Sequence, residues 1–323
     1  PPPLLELFGS FIHMDDPAHM RLRKLVSTAF GPRCLRELEH VAQRVLDETI
    51  DAVVEKGDCD LVTELCAPFP IRIICELMGV PESQHAFVLV RTNLILGAAD
   101  PEYLPPGQDA VRAVLTAGHE LAELVKELAA ARRATPEDDL TSVLAHAEID
   151  GDRLTESELA SFFILLATTG NETTRHALSH GLKALSDHPE QRAVWQSDVE
   201  GCTATAVEEI VRWSTPVIFM RRTALRPTRI ADQAIDTGEK VVMYYASANR
   251  DESVFDQPQR FDVRRSPNRH VGFGAPGTHY CLGTHLARRE ITLFFREIFR
   301  RMPDLEVTSP PDLSSGMLRF SQA

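Results

Sequence analysis

Apolar residues recur at three- and four-residue spacing over six long stretches, roughly 33–56, 63–79, 108–133, 155–187, 199–214 and 282–301, with Gly or Pro at their flanks. That spacing puts the apolar positions on one face of a helix, and it predicts six long helices. Strand-like runs are short and come late, the best being VIFMRRTAL at 217–225 and KVVMYYA at 240–246. The pattern predicts a mainly α fold with a small β portion. No internal repeat and no linker divides the chain, so it reads as a single domain over 1–323.

One predicted helix is unusual inside. In SFFILLATTGNETTRHALSHGLKAL, 161–185, the apolar pattern is interrupted by Thr168, Thr169, Gly170, Asn171, Thr173 and Thr174. Glycine and β-branched residues lower helix propensity, and Thr hydroxyls that bond back to the preceding turn bend a helix. A helix that gives up stability at its centre is a candidate for function.

Composition narrows the classes. Of 323 residues 43% are hydrophobic, enough for a sizeable core, and 47 acidic against 34 basic residues leave a net charge of -13, which argues against a general nucleic-acid binder. The longest apolar run near the middle, FFILLA at 162–167, is too short to span a bilayer, and the opening PPPLLELFGS lacks the charged-then-apolar order of a signal segment, so a soluble cytoplasmic protein is expected. Six cysteines, at 34, 59, 66, 75, 202 and 281, form no CxxC and no regular framework. Five of them read as buried free thiols.

The sixth stands apart. HVGFGAPGTHYCLG, 270–283, places Cys281 behind a glycine-rich loop and just ahead of a predicted helix. Free N–H groups and the positive end of a helix dipole favour a thiolate there, and glycines let the backbone approach a large flat object. Three readings compete. Gly272, Gly274 and Gly277 spell GxGxxG, but the preceding DVRRSPNRH is no strand of a βαβ unit. His279, Cys281 and His285 could ligate zinc, without a fourth ligand at a familiar spacing. The third reading makes Cys281 the axial ligand of a haem.

Four stretches, in order, resemble the cytochrome P450 family. The loop from Phe273 through Gly274, His279 and Cys281 to Gly283 resembles FGxGxHxCxG with one extra residue in its FGAPG turn. AVEEIVRW carries an ExxR pair, Glu209 and Arg212; FDQPQRF resembles FxxPxRF and adds Arg260; GNETT resembles the oxygen-activation motif of the long central helix. PAHMRLR also supplies His19 and Arg23 in an HxxxR pair. The resemblance implies a fold in which a long central helix lies over haem b and the cysteine loop lies beneath it.

It also implies roles. Cys281 would bind the iron; His19, Arg23, Arg222 and His279 would reach the propionates; Phe273, Gly274 and Gly283 would shape the loop. Glu209, Arg212 and Arg260 would form a structural ion-pair cluster. Thr173 would hold the oxygen intermediate, Glu172 would relay protons, and Gly170 would leave room where the helix widens. Leu165, Thr168, Thr169, Val217 and Ile218 would line the substrate pocket. The expected reaction inserts one oxygen atom of O2 into a C–H bond of an apolar substrate, with ferredoxin and ferredoxin reductase as electron donors, no membrane anchor and a monomeric state. LLATTGNETTRHALSHGLKAL and YASANRDESVFDQP look nearest to actinobacterial hydroxylases of sterol side chains and branched lipids. Against the family pattern, Thr169 stands where Ala or Gly is usual, the chain starts just ahead of the HxxxR pair, and GMLRFSQA lacks a closing hairpin, so the chain reads as truncated. Two rivals follow: a haem-thiolate module that carries electrons without oxygenating, and a remnant without function.

Overall fold

The computed structural model describes residues 9–27, 32–149 and 151–309. The opening PPP and the closing GMLRFSQA lie outside the described residues, as does the side chain of Cys34.

Eleven α-helices and six short strands make up the regular structure among the described residues. The helices are α1 (Ala18–Ser27), α2 (Pro32–Val54), α3 (Pro68–Leu77), α4 (His85–Gly97), α5 (Ala110–Ala134), α6 (Leu140–His146), α7 (Glu156–Asp187), α8 (Pro189–Ser197), α9 (Val199–Ser214), α10 (Tyr245–Ala248) and α11 (Thr284–Arg301). The strands are β1 (Glu148–Ile149), β2 (Asp152–Arg153), β3 (Phe219–Thr223), β4 (Thr228–Ile230), β5 (Gln233–Ile235) and β6 (Lys240–Tyr244). All six predicted helices are present. The 63–79 stretch splits into a π-helical turn, Leu61–Cys66, and α3, which opens on Pro68. Pro has no N–H to give and fits the first turn of a new helix, so the break falls there.

The periodicity overlooked α1, α4, α6, α8 and the four-residue α10. HAFVLVRTNLILG, the α4 sequence, has apolar residues around most of its circumference, so it shows no stripe against a polar background. α6 is seven residues long and starts at Asp139, whose carboxylate accepts from the Ser142 N–H at 2.7 Å; one helical repeat is too short for a period to declare itself. The β portion is three separate antiparallel pairs, β1 with β2, β3 with β6 and β4 with β5. In the β3–β6 pair Phe219 faces Tyr244 and Thr223 faces Lys240. The last residues of the KVVMYYA run turn into α10 instead of extending the strand.

The chain divides into two compact units, 1–183 with 281–323, and 184–280. The division falls inside α7, at Lys183 and Ala184, so no Gly- or Pro-rich linker marks it in the sequence. In the first unit, Leu22, Leu25 and Val26 of α1, Ile71 and Ile74 of α3, Leu121 and Val125 of α5 and Phe162, Phe163 and Ile164 of α7 bury their side chains in one cluster. Each such side chain contributes on the order of 1.5–3 kcal/mol by leaving water. Arg21 of α1 forks onto Asp152 of β2 and, at 2.6 Å, Glu158 of α7, which fixes the HxxxR helix against the central one.

α7 passes through its polar centre as an unbroken α-helix. Thr168, Thr169 and Thr173 each donate the side-chain hydroxyl to the carbonyl four residues back, at 2.6, 2.7 and 2.6 Å, so their polar groups are satisfied within the helix. The widening expected at Gly170 is not there. A Cβ on Gly170 would sit 2.8 Å from Ile74 Cδ1, and the glycine instead lets α3 approach closely.

Candidate functional site: a cysteine at a helix start and an open helix face

Cys281 lies two residues ahead of Gly283, the N-cap of α11, and is exposed. Although solvent reaches the thiol, the protein packed around it pushes its pKa up by desolvation. Hydrogen bonds from Thr284 and from the Gly283 backbone, and the charges of Arg23 and Arg288, work in the opposite direction. These are donors and cations that a ligated thiolate needs. The other described cysteines are poor candidates. Burial pushes the Cys66 thiol far up and the Cys75 thiol to about 12. Cys202 is buried against Arg264 Nε at 3.3 Å, and Cys59 is half-buried with its thiol pushed up by desolvation and by Glu64. No group of three or more His, Cys, Asp or Glu among the described residues could hold a metal ion, which removes the zinc reading of His279, Cys281 and His285.

The same unit carries the central helix. Leu282, next to Cys281, packs against the hydrophobic cluster that also takes Leu165 and Leu166. From there α7 presents a stripe that solvent reaches, Leu165, Leu166, Thr169, Gly170 and Thr173, while Phe162 to Ile164, Ala167, Asn171 and Thr174 to Ser179 are buried. A helix this apolar that leaves one stripe open, with aliphatic groups at one end and a hydroxyl at the other, is suited to face an apolar molecule beside a reactive centre. Thr168 departs from the expectation. It is only 5% exposed and its hydroxyl is turned to the Ile164 carbonyl, so it belongs to the core and Leu166 takes its place on the open stripe.

Glu172 does not share a hydrogen bond with Thr173. Its carboxylate meets Arg175 and, at 3.0 Å, Nε2 of His176, three and four residues along the same helix. Burial works to raise its pKa and is outweighed by His176 and Arg175, which hold it below the usual carboxylate range. Arg175 in turn donates to Asn93 of α4 at 3.3 Å. His19 is fully buried, with its ring 5.6 Å from that of Phe11, and Arg23 is half-buried near enough to Cys281 to act on its charge.

The other unit holds the remaining site residues. Arg222 is exposed on β3, and Val217 and Ile218 are half-buried ahead of it. His279 and Phe273 are half-buried in the cysteine loop, where Phe273 stands 5.8 Å from the His270 ring and Gly274 takes φ 85, a conformation that favours glycine.

That loop is tied to the ExxR pair by a buried polar network. Glu209 and Arg212 of α9 are both fully buried and joined by two hydrogen bonds, at 2.7 and 2.8 Å. Arg212 also donates to the carbonyls of Asn249 and Pro258, each at 2.9 Å, and of Arg260 at 3.1 Å. Glu209 accepts from the Asp262 N–H at 2.9 Å, Arg265 Nε at 3.0 Å and Asn268 Nδ2 at 3.1 Å. The third member of the ion-pair cluster is therefore Arg265 and not Arg260, whose side chain is exposed and which contributes its carbonyl. Asn249 carries the network onward, accepting from the Val271 N–H at 2.8 Å and donating to Thr215 at 2.9 Å. Next to it His270 meets Glu208 at 2.9 Å, and a Cβ on Gly272 would lie 2.5 Å from Val211 Cγ1. Sequence reasoning missed Arg265, Asn249 and Asn268, because only the folded loop brings them to α9.

With this geometry in view, comparison with known proteins is informative. The family model described as Cytochrome P450 matches residues 104–315. A methyl-branched lipid omega-hydroxylase of Mycobacterium tuberculosis (strain ATCC 25618 / H37Rv) is 45% identical over 313 residues, 96% of this chain and 72% of that one. A steroid C26-monooxygenase of Rhodococcus jostii (strain RHA1) is 40% identical over 308 residues, 95% of this chain and 63% of that one. Among solved structures, a Mycobacterium marinum cytochrome P450 in complex with pseudoionone superposes with a TM-score of 0.90 at 44% identity, covering 95% of this chain and 74% of that one.

Proposed function

We propose, for a chain that belongs to the cytochrome P450 family and is a haem-dependent monooxygenase, that it hydroxylates an apolar branched chain, a methyl-branched lipid or a sterol side chain. The observation that carries this reading is the open stripe of α7, aliphatic at Leu165 and Leu166 and hydroxylic at Thr169 and Thr173, in the unit that also presents Cys281. Such a stripe offers a bulky hydrocarbon only dispersion contacts until it reaches the hydroxyls, so it orients an apolar chain end toward them.

The residues present fit the cofactor that the family uses. When bound, haem b held by a thiolate would supply reductive activation of O2. Cys281 offers that sulfur at the start of α11, where the Gly283 N–H, Thr284 and the nearby cations Arg23 and Arg288 offset its negative charge. We assign His19, Arg23, Arg222 and His279 to the two propionates, which need cations or N–H donors in a poorly solvated pocket. Phe273, Gly274 and Gly283 would shape the loop that holds the cofactor, and Glu209, Arg212 and Arg265 hold that loop in place. Thr173 gives its hydroxyl proton to the Thr169 carbonyl at 2.6 Å, which leaves its oxygen lone pairs to accept a hydrogen bond from the reacting group. Glu172, its neighbour, passes protons inward. Val217 and Ile218 are further candidates for contact with the substrate. The whole chain acts as one domain, a cytoplasmic monomer served by ferredoxin and ferredoxin reductase.

Turnover of the holoenzyme under labelled O2, on a panel of methyl-branched fatty acids, 3-oxo sterols and straight-chain fatty acids, tests the assignment. One labelled oxygen at a terminal methyl of the branched substrates, and little product from the straight chains, is expected. Product from straight chains alone would overturn it.

A further inference from the structure

Glu172 has two partners on its own helix, and they differ in what they can give. Arg175 never releases its proton under physiological conditions, so its contact fixes charge and position only. His176 can release one. Its Nε2 stands 3.0 Å from the Glu172 carboxylate, at hydrogen-bond distance, while the ring is 1% exposed. Because these partners hold Glu172 ionised, the carboxylate is not itself a store of protons; every proton it passes inward has to arrive from a neighbouring group or from the solvent that reaches part of its side chain. Of its two partners on α7, only His176 can supply it.

We propose that His176 is a proton-relay residue that reloads Glu172, the second member of a wire along α7. This inference rests on the reading of Glu172 as the group that delivers protons toward Thr173. As Nδ1 of the His176 ring takes a proton from the outer side, its Nε2 proton moves to the Glu172 carboxylate, and Glu172 then passes that proton inward. No electron moves, one proton enters for each that leaves, and the ring resets by exchanging its tautomer. His180, one further turn along the same face, is half-buried and interacts electrostatically with His176. Glu172, His176 and His180 thus recur every four residues, the spacing that stacks side chains on one face of a helix.

The surroundings suit a neutral relay. Burial, and the cation of Arg175, hold the His176 imidazole below its ordinary pKa against the pull of Glu172. Arg175 already balances the carboxylate, so the ring can remain neutral, with a proton on Nε2 and a lone pair on Nδ1. Asn93 and Tyr103 bond to Arg175, which keeps the guanidinium from leaving the pair. A permanently charged imidazolium would lack the lone pair that a relay requires.

The test compares His176→Gln, His176→Asn and Glu172→Gln with wild type as holoenzymes, turned over on a methyl-branched long-chain fatty acid with a surrogate ferredoxin system. Gln keeps an N–H to offer Glu172 and cannot carry a proton through. Product formed per reductant consumed should fall by roughly 10- to 100-fold in His176→Gln and in His176→Asn, with the difference appearing as hydrogen peroxide. Full coupling in His176→Gln would mean that the histidine only fills and bonds, and would overturn the proposal. If Glu172→Gln is itself fully coupled, the reading beneath the proposal fails; if Glu172→Gln uncouples and His176→Gln does not, the proposal alone fails. Nitrogen NMR of labelled histidine in the wild-type protein supplies a readout independent of turnover and of how the variants fold. A neutral ring protonated on Nε2 at neutral pH is expected, and an imidazolium there would contradict the relay.

Discussion

Cys281 differs from its buried counterparts in a way that one substitution reads directly. Cys281→Ser should abolish the thiolate-type absorption of the reduced protein with carbon monoxide, whereas Cys66→Ala, Cys75→Ala and Cys202→Ala should keep it, since those thiols are buried away from solvent. A thiolate spectrum surviving in Cys281→Ser would refute the assignment of the ligand. The ExxR network gives a second contrast between single residues. Arg265 Nε donates to the buried Glu209 carboxylate, and the Arg260 side chain is exposed. Arg265→Ala should therefore cost about 1.5–3 kcal/mol, the range for a hydrogen bond to a charged group, and Arg260→Ala within about 0.5 kcal/mol of zero. Urea unfolding of the two variants decides it, and equal losses would return Arg260 to the cluster. Both residues were visible in FDQPQRFDVRR, but nothing in the spacing says which arginine folds back. That choice is made by the loop, where Arg265 also donates to the carbonyls of Asp256, Gln257 and Arg260.

α9 passes close to the start of the cysteine loop. Gly272 lies against Val211, whose Cγ1 and carbonyl oxygen would be 2.5 and 3.3 Å from an added Cβ. Gly272→Ala should cost about 1–3 kcal/mol through overpacking, and Val211→Ala in the same chain should recover part of that loss, because the clash is mainly with one methyl. A thermal-unfolding cycle over the four proteins tests this; strictly additive losses would show that the two residues do not meet. The long amphipathic helices were legible because each buries one face, as α5 buries Leu121, Val125 and Leu128. The central helix was legible as a helix whose hydroxyls bond back to the preceding turn, and was misread at one residue: it does not widen at Gly170, which instead accommodates Ile74. Periodicity reports which face is buried, and it is silent on what a neighbouring helix requires of a single Cβ.

For the whole molecule, stability should depend on pH through a group that the reaction does not use. Glu290 of α11 is 2% exposed, and burial pushes its carboxyl up to about 8, against a hydrogen bond with Thr174 that lowers it. Its folded pKa is raised, so the stabilisation is complete below the unfolded value near 4.5 and is lost as pH climbs toward 8. Glu290→Gln should flatten that fall and raise the melting temperature at pH 8; an unchanged pH profile would place the ionisation elsewhere. The fold family and the Cys281 loop were readable as ordered motifs along the chain, whereas the partners of Glu172 were not weighed, although His176 sits four residues away. A motif names the residues that meet the cofactor, and the groups behind them emerge only with side chains in place. The central claim is that this chain couples electrons to hydroxylation through Thr173 on the open face of α7. Counting reductant consumed, peroxide released and hydroxylated product in wild type and Thr173→Ala, both loaded with haem, tests it most directly. The account predicts that Thr173→Ala keeps its thiolate spectrum and its consumption of reductant while product falls and peroxide rises in its place; equal product and peroxide yields in the two proteins would contradict it.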